Sequence, residues 1–278
     1  MLKKLMIISA SMFFVFFTFS FVHYDQLNRD GVIVLLYHKV ESVESTKNKY
    51  SVTKDQFVAQ LNYLVENGYQ TILPKDIYNG KIPDEISKTV ILSFDDGTED
   101  HFLNVYPLLK ERGMNGVFFV VTKYIDRPGI MQSSQLKEMH ENNMEIGSHG
   151  YTHLFLDALS KPEIEHQLLK SKNDIENIIG DNVFSMAPPG GWFDNIVVEN
   201  AKDVGYSALF GCEIGVNDLN EKPYVYKRIE VLGKMTDDEF KSLLKPTEIL
   251  PYKLNQAIKF IIHDILGSEN YKNIANAL

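Results

Sequence analysis

Thr89-Val90-Ile91-Leu92-Ser93-Phe94-Asp95-Asp96-Gly97 decides the reading of this chain. Its opening run, Thr89 to Leu92, reads as a buried strand of a parallel sheet, where strands are apolar on both faces. Two adjacent carboxylates at the end of such a strand serve no packing purpose, because an unpaired buried charge is too costly. Successive strand residues point to opposite faces, and Gly97 permits a sharp turn. One carboxylate can therefore hold a metal ion while its neighbour takes a proton. Further along, His149-Gly150-Tyr151-Thr152-His153 offers two imidazoles four residues apart. One Asp with two His makes a three-ligand metal site with a position left for water.

Outward from this strand the pattern alternates. Val32 to Tyr37 is a strand with His38 at its end, followed by a polar loop from Glu41 to Lys49. Thr53, with Gln56 completing a capping box, opens a helix that runs to about Asn67. Gln70 to Leu73 reads as a short strand, the stretch after Pro74 as a short helix, and Thr98 to Arg112 as a helix. Gly116 to Val121 and Glu145 to Gly147 are strands, with a helix from Ser133 between them. Ser160-Lys161-Pro162-Glu163 opens a long helix that ends near Gly180. Val183 to Met186 feeds Pro188-Pro189-Gly190-Gly191-Trp192, and helix Asn195–Val204 and strand Tyr206–Phe210 follow. Asp237 to Leu244 and Tyr252 to about Leu266 are helical. This alternation predicts parallel βαβ units, in a barrel or an open doubly wound sheet. In both, functional residues gather at strand C-terminal ends, where His38, Asp95, Asp96, His149, Pro189 and Gly190 all fall.

The chain has 278 residues, 44% of them hydrophobic, so it can bury a full core. Its net charge of −9 argues against a nucleic-acid partner, which needs a basic face. The single cysteine, Cys212, excludes an internal disulfide framework and reads as a small buried hydrophobe. Lys3 and Lys4 precede the uncharged stretch Leu5 to Val22. As a helix it would be about 27 Å long, near the hydrocarbon thickness. It lacks an Ala-x-Ala cleavage site, so residues 1–24 read as either a signal peptide or an N-terminal membrane anchor. Both put residues 25–278, one domain, outside the cytoplasm: secreted, or held on the outer face of the membrane through residues 5–22.

Each motif alone has a plain structural explanation. Asp-Gly is a common turn and helix cap, and Pro188-Pro189-Gly190-Gly191 is a turn by composition. The two histidines lack the Glu of a His-Glu-x-x-His helix, because Gly150 stands in its place, which favours a loop. Trp192 is either a core aromatic or a wall for a sugar ring.

Together the stretches resemble the NodB-like polysaccharide deacetylases. The family's first motif, Thr-Phe-Asp-Asp-Gly, is matched with Ser93 for Thr, and its second, His-(Ser/Thr)-x-x-His, with Gly150 in second place. Leu35-Leu36-Tyr37-His38, Thr53-x-x-x-Phe57, Leu61-x-x-Leu64 and Gly68-Tyr69 are similar to the branch that deacetylates biofilm poly-N-acetylglucosamine. The resemblance spans about Val32 to Glu230 and implies an α/β fold, an irregular (β/α) barrel that is circularly permuted in that branch. It implies Asp95 as general base, with Asp96, His149 and His153 holding a divalent metal ion. Zn²⁺ is the first expectation, and Co²⁺ or Ni²⁺ also suit such a ligand set. The family's third motif carries an Arg that orients the base; here Ala187-Pro188-Pro189-Gly190 stands in that place, so the Arg is missing. Gly190 N–H is the candidate oxyanion donor, and Pro189 and Trp192 are candidate substrate contacts. The last motif, Leu-x-His, supplies the general acid: Leu36-Tyr37-His38 matches it at the N-terminal end, and His263 is the competitor. His23, His101, His140 and His166 are expected to be solvated.

The implied reaction is removal of N-acetyl groups from N-acetylglucosamine units of a cell-surface or extracellular polysaccharide. Alternatives are a deacetylase of peptidoglycan, chitin or acetylated xylan, and a non-catalytic glycan-binding protein that keeps the metal site, motivated by the missing Arg and by the family's tryptophan motif, which is not recognisable here. A two-His, one-carboxylate set also serves non-haem iron oxygenases, whose antiparallel double-sheet barrels do not fit the strand–helix alternation here.

Overall fold

The computed structural model of the chain describes residues 31–42, 49–254, 256, 260, 262–263 and 265–267. The N-terminal segment 1–24 lies outside them. Among the described residues no helix is long and apolar enough to cross a membrane.

The strands are β1 (Ile33–Tyr37), β2 (Lys39–Glu41), β3 (Ser51–Thr53), β4 (Gln70–Thr71), β5 (Thr89–Phe94), β6 (Val117–Val120), β7 (Glu145–Ser148), β8 (Ser185–Met186), β9 (Ala208–Phe210), β10 (Val225–Tyr226) and β11 (Ile229–Glu230). One sheet runs in the order β10-β9-β8-β7-β6-β5-β1-β11, with β4 beside the start of β5. Every strand pairing in it is parallel. Laid flat, its two outer strands would be about 34 Å apart at the usual strand spacing. Yet β10 and β11 are joined only by Lys227 and Arg228, a link that spans about 11 Å at full stretch. The sheet must therefore curl on itself, and residues 227–228 cross its seam.

Side-chain alternation divides the apolar residues into two cores. Ile33, Leu35, Val90, Leu92, Phe118 and Val120 face the surrounding helices, whereas Val34, Ile91, Val117, Phe119 and Phe210 fill the barrel. The outer core is covered by α1 (Lys54–Glu66), α2 (Pro74–Tyr78), α3 (Tyr106–Glu111), α4 (Ser133–Glu141), α5 (Lys161–Ile179), α6 (Asn195–Val204) and α7 (Asp237–Leu243). Helix α1 starts at the Thr53/Gln56 capping box, and α5 runs from a Ser160/Glu163 box to Gly180 in the left-handed conformation. Gly147 admits no side chain, since a Cβ there would lie 2.6 Å from the Phe119 ring.

Two expectations need correction. The helix read over Thr98–Arg112 begins at Glu99, because Thr98 is held in a bridge to Ile130 and the Gly97 carbonyl accepts from Met131 N. After Asp100 it widens to a π turn over His101–Val105, with the Tyr106 N–H donating to His101 O. Pro107 lacks the N–H that an α turn would use there, and the wider turn absorbs the loss. The polar loop after Glu41 is flanked by the short pair β2–β3, which is too brief to show a period.

The closed end of the barrel holds one buried carboxylate. Glu145 accepts from Ser185 Oγ at 2.6 Å and from the Lys75 N–H at 2.8 Å. Burial pushes its carboxyl up to about 7 from an ordinary 4.5, against the pull of those two donors. The folded chain thus keeps a proton that the unfolded chain loses first. The contribution of Glu145 to stability should be greatest below pH 4.5, fall as pH rises from 4.5 to 7, and be flat above that. Glu145→Gln, which keeps a hydrogen-bonding carboxamide, should remove this slope and be the more stable protein at pH 8 by roughly 2–3 kcal/mol in urea unfolding. An unchanged slope in the variant would contradict the assignment.

Candidate active site

The open, C-terminal end of the barrel gathers the charged residues. Asp95 follows β5, its N–H donating to Tyr37 O of β1 at 3.0 Å. It has the parity of Ile91 and Ser93 and so points into the barrel, only 3% exposed. Asp96 turns away in the left-handed region, at φ 79°. His149 follows β7, its N–H bound to Val120 O at 2.8 Å. Its Nδ1 donates to Ala187 O at 2.7 Å, which leaves Nε2 as the free ligand atom. The loop beyond is held by buried Gln167 of α5, whose carboxamide oxygen accepts from Tyr151 N, Thr152 N and Thr152 Oγ1 at 3.2, 2.9 and 3.0 Å. His153 ends that loop, also left-handed at φ 59°. Two non-glycine residues held at positive φ in one site store strain that the surrounding hydrogen bonds maintain.

These three side chains converge. Asp96 Oδ1 lies 3.6 Å from His149 Nε2 and 3.3 Å from His153 Nε2, and one ligand atom from each residue falls within 4.8 Å of the others. Ligand atoms around a tetrahedral zinc stand about 3.3–3.6 Å apart, so the donor set fits a divalent ion in both chemistry and spacing. Burial above all pushes His149 down to about 4, so its ring is neutral at pH 7, the form that binds metal. Asp96 is held well below the usual carboxylate range: burial opposes ionisation, but the hydrogen bond from His153 and the nearby His149 and His38 outweigh it.

Asp95 does not face that cluster unpaired. Arg228, from the seam, donates from Nη1 to Asp95 Oδ1 at 2.7 Å and from Nε to Gly211 O at 2.8 Å, its guanidinium 5.7 Å from the Phe119 ring centre. Arg228 is 2% exposed. Burial would raise the Asp95 carboxyl, but Arg228 first, then His149 and His38, hold it below its ordinary range. The Arg absent from Ala187-Pro188-Pro189-Gly190 is thus supplied from the far end of the domain, a correction to the sequence reading. Nothing in Lys227-Arg228 marks it locally, but the chain has only four arginines, and a buried Asp demands a cation.

His38 follows β1, half-buried, with Nδ1 3.8 Å from Glu230 Oε1. Pro189 is buried against the His149–His153 loop, and a Cβ on Gly150 would meet it at 3.7 Å. Gly190, at φ 70°, sits on the exposed rim, where a Cβ would approach Phe155 within 2.7 Å. Trp192 is not an open wall: His263 stacks on it at 3.8 Å between ring centres, Phe260 meets its edge, and it is 8% exposed. His263 is itself packed there, 3.4 Å from Asp157. Of the histidines expected in solvent, His166 is exposed, His140 is half-buried 3.5 Å from Asp181, and His101 is fully buried, bonded to His38. His23 lies outside the described residues.

A polysaccharide deacetylase family model matches residues 83–209. The putative polysaccharide deacetylase YxkH of Bacillus subtilis is 29% identical over 211 residues, 74% of each chain. Poly-β-1,6-N-acetyl-D-glucosamine N-deacetylase of Staphylococcus aureus is 23% identical over 246 residues, 78% of this chain and 82% of its own. The solved Streptococcus pyogenes deacetylase PplD shares the fold, with a TM-score of 0.71 at 23% identity over 78% of this chain and 99% of that one. Residues 83–209 thus match the polysaccharide deacetylase family, and the fold is the irregular (β/α) barrel of the solved deacetylases. The chain is accordingly an enzyme, a hydrolase acting on amide bonds.

The buried ion pair can be tested directly. Arg228→Met leaves Asp95 buried without its cation and should destabilise the fold by about 3–5 kcal/mol. Adding Asp95→Asn should recover most of that loss in a double-mutant cycle read by urea unfolding. Additive losses would show that the pair is not coupled.

Proposed function

We propose that this enzyme removes N-acetyl groups from N-acetylglucosamine units of an extracytoplasmic polysaccharide, using a divalent ion held by Asp96, His149 and His153. The observation that carries the reading is the division of labour between adjacent carboxylates: Asp96 within 3.6 Å of both imidazoles, Asp95 on Arg228. When bound, the ion, first of all Zn²⁺, with Co²⁺ and Ni²⁺ also suited, polarises the amide carbonyl and makes water acidic enough to attack near neutral pH. Asp95 accepts the proton of the attacking water. Arg228 keeps that carboxylate ionised and aimed along the barrel axis. Gly190 N–H faces the carbonyl oxygen as its charge develops. His38, steadied by Glu230, gives a proton to the departing amine, and His263 stays a packing residue. Pro189 shapes the edge of the substrate cleft.

Similarity over most of the chain to the staphylococcal enzyme supports a poly-N-acetylglucosamine substrate ahead of peptidoglycan, chitin or acetylated xylan. A non-catalytic glycan-binding role loses one of its two motives, because Arg228 meets Asp95 in place of the missing Arg. Secretion, or attachment to the outer face of the membrane through residues 5–22, is part of this proposal and rests on the apolar N-terminal stretch.

Acetate release from poly-N-acetylglucosamine, chitin oligomers, peptidoglycan and acetylated xylan by zinc-loaded protein tests the substrate. The first should react fastest. Asp95→Asn should lower turnover by at least about a hundredfold while the protein still binds one zinc, whereas His149→Ala should lose the metal. Full turnover in Asp95→Asn would contradict its role as base.

A further inference from the structure

The segment that follows the Asp pair grips the backbone around His38 with three side chains. The β1 ladder ends at Tyr37, whose carbonyl accepts from Asp95 N. Beyond it, His101 Nε2 bonds to His38 O. Asp100 Oδ2 accepts from the Val40 N–H at 2.7 Å, and Asn104 Nδ2 donates to Val40 O at 2.7 Å. A carbonyl cannot donate, so His101 carries its proton on Nε2. Its Nδ1 is then left buried and without a hydrogen-bond partner among the described residues. Leaving such an atom unpaired is costly, and the ring sits among Phe94 and Phe118, where an apolar side chain would avoid that cost. The His101 N–H to His38 is the interaction an apolar residue could not make.

We propose that Asp100, His101 and Asn104 are positioning residues that hold His38 in register with Asp95 and Asp96; this rests on the reading of His38 as general acid. Base, metal ligand and clamp then lie on one continuous segment, residues 95–104, so the acid is set directly against the groups it works with. The π turn over His101–Val105 belongs to the same device, because it lies between Asp100 and α3 and carries two of the three gripping side chains. A reacting group displaced by even 1 Å loses much of its rate advantage.

The test compares acetate release from an N-acetylglucosamine oligomer with hydrolysis of 4-nitrophenyl acetate by the zinc-loaded full chain. The aryl ester expels a stable phenolate that needs no proton, whereas the amine of the sugar amide must be protonated to leave. His101→Leu should lower kcat on the amide about tenfold or more, with KM and zinc content little moved, and lower the ester rate several-fold less. His101→Gln, which keeps an N–H for His38 O, should restore most of the amide rate. If His101→Leu does not fold, the half-buried Asp100→Ala and Asn104→Ala should show the same selective loss in smaller measure. Equal losses on both substrates without rescue, or an undiminished amide rate, would overturn the clamp. His38→Ala separates the two claims: if it spares the ester and the clamp variants do not, the clamp alone fails, and if it lowers both rates alike, the acid assignment fails with it.

Discussion

The ion pair between Arg228 and Asp95 ties the chemistry to the closure of the barrel. A nearly closed parallel sheet has one seam, and here the two residues that cross it deliver a guanidinium to the interior. Asp95 can be buried at the mouth only because that cation meets it, and the cation can be buried only because Asp95 and Gly211 O receive its protons. The strand order that puts β11 beside β1 also brings Glu230 to His38. Asp95 and His38 are thus each approached by a charged side chain from the same short stretch, 228–230, which joins the last strands.

Around this pair the site is built by backbone and second-layer contacts more than by its reactive groups. Ala187 O selects the His149 tautomer, Gln167 gathers the loop that carries His153, and Tyr37 O anchors Asp95. Asp96 and His153 are both held in a conformation that L-residues avoid. Strain of about 1–3 kcal/mol at each is tolerated because these contacts over-determine the loop. The spacing that results, 3.3 and 3.6 Å from Asp96 Oδ1 to the two imidazole nitrogens, matches the edge of a metal tetrahedron.

Much of this was legible in the sequence, for reasons that differ by residue. Strand β5 announced itself because a parallel strand is apolar on both faces, and α1 and α5 because their capping boxes are local signals. Asp95, Asp96, His149 and His153 could be grouped because strand ends of a parallel sheet share one rim. Arg228, Gln167, Glu145 and His101 were not legible: each is polar, looks solvent-facing in its own segment, and is buried by a partner many residues away. Strands of two residues, such as β10 and β11, carry no periodicity, so the stretch that closes the barrel gives no strand signal. Trp192 read equally as wall or core, and only the docking of His263 and Phe260 decides for core.

The central claim is that one ion sits between Asp96, His149 and His153 while Asp95 stays on Arg228. Anomalous diffraction at the zinc edge from crystals of the zinc-loaded protein measures this directly. The account predicts a single peak about 2.0–2.2 Å from Asp96 Oδ1 and from Nε2 of both histidines, with the Arg228–Asp95 pair intact. A peak that takes Asp95 as a ligand away from Arg228, or no peak between the three residues, would contradict it.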